Sequence, residues 1–351
     1  MAAELVPPAA GVVPTAALPA TGPRRSRGAR LWLIATVGST IGAAVTAIVL
    51  APSGSAPAPE ALAFLLFVGS SVHVASTGWF YTVPEVRAYM RTRKARYVWC
   101  PLALISGAGA IALLVPTATL KWLLLPYFGW QFFHYQKQNL GVAAIAAASG
   151  RLAPLRPAER RALTAAGLAA VTALMCRPSL LQLPVRPVLP AGFPLAPLFP
   201  LAAVTFAASA GIGLYCLARR PERSPGFCAA YLTSLLFGLP VFVFASPYAA
   251  VAGLTIAHGL QYLLLMGMVA AGGARGRIVR LAALCNIALL GGAVLATASD
   301  QAAAGRPILF GLFLGAVMAH FVIDAGLWRL REEFPRAFLA SRVPCLVTSG
   351  R

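Results

Sequence analysis

Residues 307–328 read PILFGLFLGAVMAHFVIDAGLW, and apart from His320 and Asp324 none of them carries an ionisable side chain. At 1.5 Å per residue this stretch covers about 33 Å as a helix, close to the thickness of a bilayer's hydrocarbon core. Nine further apolar segments precede it, at 31–50, 61–83, 97–118, 122–147, 162–176, 195–218, 227–246, 249–271 and 281–299. The pattern predicts an all-α, polytopic transmembrane helix bundle of about ten spans.

The composition points the same way. Of 351 residues, 59% are hydrophobic and 11% are charged. A soluble domain carries about 25% charged residues, and a nucleic-acid binder with a net charge of +20 would carry many more in total. Nucleic acid is therefore not an expected partner; the lipid bilayer is. The six cysteines stand singly, most of them in apolar stretches, where a thiol behaves as a small hydrophobe.

The positive charges give the predicted orientation. Residues 1–29, rich in Ala, Pro and Gly, read as a disordered tail. This N-terminal region with its basic run to Arg30, loops 84–96, 148–161, 219–226 and 272–280, and the C-terminal tail hold 24 of the 29 Lys and Arg residues. The positive-inside rule places all of these in the cytoplasm, with both termini inside and the protein in the cell's inner (plasma) membrane. Residues 30–329 are then the membrane domain and 330–351 a cytoplasmic C-terminal tail. Leu31–Leu50 is longer than the apolar core of a signal peptide, about 15 residues at most. Trp122, Tyr248, Tyr97 and Trp328 lie at span ends, as interfacial anchors do.

The residues that do not suit a bilayer carry the functional reading. All four histidines, His73, His134, His258 and His320, fall inside predicted spans. Those spans run in the same direction, and each imidazole lies about 9–13 residues from the outer end, which puts the four within about 6 Å of one depth. Neutral imidazole is the commonest metal ligand, and intramembrane ionisable groups face the protein interior. Four imidazoles in one layer suit one metal ion: iron, zinc or copper. Ser76 and Thr77, Gln138, Gln261 and Asp324 follow the histidines at i+3 or i+4, the spacing that shares a helix face, and are candidates to orient the ligands. Lys137 and Asp324 lie one turn further toward the cytoplasm. They are candidate catalytic residues and a candidate buried ion pair.

His73 and His134 are 61 residues apart, and His258 and His320 are 62 apart, which suggests a parallel repeat of 31–147 in 227–328. Aromatic residues crowd His134, among them Trp130, Phe132, Phe133 and Tyr135, and can frame a pocket for a lipid-soluble molecule.

The pieces Leu254-Thr-Ile-Ala-His258 and His320-Phe-Val-Ile-Asp324 give the chain a resemblance to the Brp/Blh-type membrane carotene dioxygenases. The resemblance implies a polytopic membrane enzyme with a catalytic iron on intramembrane histidines. The chain departs from that family where a His-Gly-x-x-Asp motif is expected: His258-Gly259 is followed by Leu260, Gln261 and Tyr262. No closely spaced histidine pair is present either.

Three functions remain open on the sequence. One is an iron-dependent oxidoreductase acting on a lipid-soluble substrate. Another is a proton-coupled secondary transporter using His134, Lys137 and Asp324. The third is a haem-binding electron carrier with paired histidines.

Overall fold

A computed structural model describes residues 27–52, 56–181, 195, 197–273, 276–301 and 305–347. Most of the predicted N-terminal tail, and the loop containing Pro184, Pro187, Pro190 and Pro194, lie outside the described residues. The described residues form helices and contain no strand.

Seven helices are long and apolar enough to cross a membrane: α1 (Arg27–Val49), α2 (Glu60–Thr82), α4 (Ala95–Leu114), α7 (Leu198–Ala218), α10 (Tyr248–Ala271), α11 (Arg277–Asp300) and α12 (Pro307–Leu327). Exposed Leu, Ile and Val side chains cover their outer faces, including Ile34, Leu114, Val204, Leu290 and Val294. Such faces suit lipid, and the chain is a multi-pass membrane protein.

The other three apolar segments are helical but differ in kind. Segment 122–147 lies in α5 (Thr117–Ser149), a 33-residue helix whose middle carries Gln136, Lys137, Gln138 and Asn139. Segment 162–176 lies in α6 (Pro157–Cys176), which opens on Glu159, Arg160 and Arg161. Segment 227–246 is broken at Leu236–Leu239 between α8 (Pro225–Leu235) and α9 (Pro240–Val243). Two short amphipathic helices, α3 (Pro84–Arg91) and α13 (Glu333–Arg342), complete the fold. The latter lies in the predicted C-terminal tail and buries Phe338 and Leu339 in the main core.

Local chemistry starts these helices where they start. Proline is the first residue of α6, α8 and α12, where its missing N–H costs nothing. Ser224 caps α8 by accepting from the Phe227 amide at 3.3 Å. Glu159 caps α6, accepting from the Arg156 amide at 2.7 Å. The same Glu159 carboxylate takes Arg220 at 2.7 Å, both side chains almost fully buried, and so ties α6 to the end of α7.

Packing follows small residues. α12 lies along α4, α7 along α6, α1 along α10, and α11 along α2. α5 rests on α6 and α8 and meets α10 and α12 at only a few points. A close crossing joins α2 to α10, as another at Gly311 and Gly315 joins α12 to α4. A Cβ on Gly69 would stand 2.6 Å from the Ile256 Cα, and one on Gly259 would stand 2.5 Å from the Gly69 Cα. Only glycine allows the two backbones to touch there. His73 and His258 project from these touching segments. Around His73 the regular helix gives way to a π-helical turn, Val68–Val72, before it and a 3-10 turn, Thr77–Thr82, after it. Such turns re-aim side chains.

The expected anchor Tyr97 is instead a core residue, 1% exposed, because the chain entering α4 folds under α12, with the Tyr97 hydroxyl against Gly326. Trp79 and Phe80 are likewise core residues.

Gly259→Val is expected to lower thermal stability in detergent by about 1–3 kcal/mol, the usual cost of overpacking. Gly267→Val, on the same helix but with open space around it, is the control. Equal melting temperatures for the two variants would show that the crossing is not tight.

Candidate metal centre

The four histidines converge. Ring centroids stand 4.9 Å apart for His73–His258, 5.0 Å for His73–His320, 5.1 Å for His134–His258 and 5.2 Å for His134–His320. Each ring meets its two neighbours nearly at right angles, so the imidazoles form a closed square. Two imidazoles on one ion, with nitrogen–metal bonds of about 2.0–2.1 Å, have centroids roughly 5 Å apart, the spacing of each neighbouring pair here. Rings this close leave no gap for a porphyrin among them.

Three of the four rings are closed off from solvent. His73, His258 and His320 are 2%, 0% and 2% exposed; His134 is half-buried. Both nitrogens of His73, both of His258, and Nε2 of His134 and of His320 are buried with no hydrogen-bond partner. Buried polar atoms are almost always paired, so six orphaned nitrogens in one cluster call for a ligand. One nitrogen each from His73, His258 and His320 lie within 4.8 Å of one another, and the three could hold a metal ion. A second triad of His134, His320 and Asp324 meets the same limit. His134 thus shares a nitrogen-and-oxygen group with Asp324, while its ring closes the histidine square.

Aromatic rings set the planes of two imidazoles. Tyr135 stacks on His258 at 4.0 Å and Phe321 on His134 at 4.5 Å. A hydrogen-bond chain sets the third. The Tyr262 hydroxyl donates to Asp324 Oδ1 at 2.8 Å, Thr77 Oγ1 lies 2.9 Å from that hydroxyl, and His320 Nδ1 lies 2.7 Å from Thr77 Oγ1. The carboxylate can only accept when ionised. Tyr262 then donates to it, Thr77 donates to Tyr262, and His320 Nδ1–H donates to Thr77. This order leaves the His320 Nε2 lone pair free, turned toward Asp324 Oδ2 at 3.6 Å. A lone pair facing a carboxylate is relieved by a metal cation or by a proton on Asp324.

The residues expected to orient the histidines take part in different ways. Thr77 does so, but for His320 rather than for His73 on its own helix. The Ser76 hydroxyl donates to the His73 carbonyl, not to its ring. Gln138 donates to the His258 carbonyl at 2.8 Å and to Gln261 at 2.9 Å, and Gln261 donates to Thr40 at 2.8 Å. The two glutamines therefore brace the backbone of α10 beneath the site. Among the described residues no ion pair joins Lys137 to Asp324. Asp324 is held by Tyr262, and the Lys137 ammonium lies over the Phe133 ring at 5.4 Å. Tyr262 is the residue that sequence spacing missed. It sits four residues after His258 on a predicted helix, so the i+4 rule would have found it.

Beside the square lies a cavity of about 450 Å³ between α5 on one side and α10 and α12 on the other. His134, Asp324 and Tyr262 reach its wall, with Trp130, Phe133 and Phe321 around the histidine and Val142, Ile145 and Leu265 further along. Its size falls in the range of small-molecule sites, about 300–1,000 Å³.

No family model, curated protein or solved structure matches this chain, so the function rests on the site itself.

Thr77→Val removes the acceptor of the His320 Nδ1 proton. It is expected to weaken binding of a divalent transition ion by about 10–100-fold, as loss of a ligand-orienting partner typically does. Ser76→Ala, which touches no imidazole, should leave affinity unchanged. Isothermal titration of metal-stripped protein with cobalt or ferrous ion reads both.

Proposed function

We propose that the chain is an integral membrane oxidoreductase with an iron centre on His73, His134, His258 and His320. We place it in the plasma membrane with ten crossings and both termini in the cytoplasm. Its substrate is a lipid-soluble molecule taken from the bilayer into the cavity at His134. The observation that carries this reading is the square of four imidazoles, three buried and one half-buried, with six buried, unbonded nitrogens, open along one edge to a mainly apolar cavity.

Nitrogen-rich sites of this kind suit iron, zinc and copper alike. The open border on a substrate-sized space argues against a closed structural zinc site, and among catalytic metals iron is the one that the resemblance to the membrane carotene dioxygenases favours. A bound iron would supply dioxygen activation there.

The residues of the chain do the rest. His320 keeps one tautomer through Thr77. Asp324 accepts the proton shared along the Tyr262 chain and stands at the cavity wall, 3% exposed, where it can pass a proton to or from a reacting group. Phe321 and Trp130 hold an apolar body against the centre and exclude water. The concentration of basic residues in alternate loops supports the orientation.

The alternative is a proton-coupled transporter. It is favoured by one fact: His134, Lys137 and Asp324 all line the same cavity.

Element analysis and absorption spectroscopy on detergent-purified protein test the proposal. Stoichiometric iron is expected, falling several-fold in His320→Ala and His134→Ala while both variants keep the elution profile of the native protein. Metal-free protein after expression in iron-replete medium overturns the reading. Metal-free protein that drives proton-coupled uptake in proteoliposomes would establish the transporter instead.

A further inference from the structure

The cavity has more structure than a lipid-soluble substrate in general would need. Its wall carries a level of polar side chains, Lys137, Gln138, Gln261 and Asp324, one turn beyond His134. Beyond that level the lining turns apolar again with Val142, Ile145 and Leu265. From His134 to Ile145 is eleven residues of α5, about 16 Å of helix. The space is thus mainly apolar, with one polar level close to the histidines and basic residues, Arg329 and Arg331, at its other end.

That level holds one ammonium and one carboxylate that do not meet. Gln138 and Gln261 are already bonded to each other and to α10 and α1. Asp324 is taken up by Tyr262 on one oxygen and faces His320 on the other. Lys137 has no carboxylate partner among the described residues, only the face of Phe133. The other cations of the lining, Arg329 and Arg331, sit at the far rim; Arg329 is paired with Glu332 at 3.2 Å. Lys137 is exposed and lines the cavity, where an ammonium beside apolar walls favours an anion.

We infer that the cavity binds a single-chain amphiphile with a carboxylate head, such as a long-chain fatty acid, with the head on Lys137 and the chain in the slot lined by Val142, Ile145 and Leu265. The inference rests on the reading of this cavity as the substrate site and names the substrate class. It places the carbons next to the head, rather than the far end of the chain, nearest the histidines. Three features select this ligand. One lysine matches one negative charge. Asp324 repels a doubly charged phosphate. A space of about 450 Å³ is enough for one long alkyl chain and too small for the two of a phospholipid.

The test is equilibrium binding of radiolabelled palmitic acid and hexadecanol to the full chain in nanodiscs of phosphatidylcholine, with and without metal. Palmitate is expected to bind about tenfold more tightly than the alcohol. Lys137→Gln should bring palmitate to the level of hexadecanol and leave hexadecanol unchanged, and Lys137→Arg should keep the preference. Equal affinity for acid and alcohol in the native protein overturns the inference. So does a preference that survives in Lys137→Gln, or one that Arg331→Gln abolishes instead. Hexadecyl phosphate outcompeting palmitate overturns the carboxylate assignment. Metal content is measured on the same samples. Iron without acid preference sinks this inference alone, and acid preference without iron sinks the metal reading alone.

Discussion

Four imidazoles standing edge to face in an apolar interior cannot be left as they are. Each carries two nitrogens that water would normally satisfy, and here six of the eight have no partner and no solvent. Packing alone would have filled such a space with Leu or Phe. The chain instead spends its four histidines on one point, and most of the fold can be understood as the means of bringing them there. The touching backbones at Gly69 and Gly259 set two of them side by side. The π-helical turn before His73 aims its ring inward. The Thr77–Tyr262–Asp324 chain fixes the face that His320 presents.

The surroundings divide the work between rigidity and access. His73 and His258 sit on α2 and α10, which touch, and His320 comes from α12, which packs along α4 and against α11. The glutamine pair beneath them, Gln138 and Gln261, hydrogen-bonds across three helices. His134 comes from the other side, on a helix whose support is α6 and α8. The buried Glu159–Arg220 pair secures that side far from the histidines, with a geometry that leaving either partner alone would make costly.

Much of this was legible in the sequence. The apolar runs gave an all-helical membrane protein, and the absence of histidine from every loop marked the cluster before any helix was placed. Depth along each span is a one-dimensional property, so His73, His134, His258 and His320 could be aligned by counting residues. What lies in the plane of the membrane is not one-dimensional. Thr77 was assigned by spacing to His73 and serves His320, because the helix crossing turns its face to a neighbour. Lys137 and Asp324 share a level but not a bond, because Tyr262 reaches the carboxylate from α10. Tyr97 looked like an interfacial anchor from its position and is buried by the chain folding beneath α12.

The thin contact between α5 and its neighbours α10 and α12 has a mechanical meaning. Three rings come from α2, α10 and α12, and the fourth reaches over from α5, whose own support is α6 and α8. An ion bound by all four would act as a clasp across the slot, drawing its two walls together at one end while the other end stays open. Removing the ion would then release a wall, and the protein's resistance to unfolding would depend on the same atoms as its chemistry.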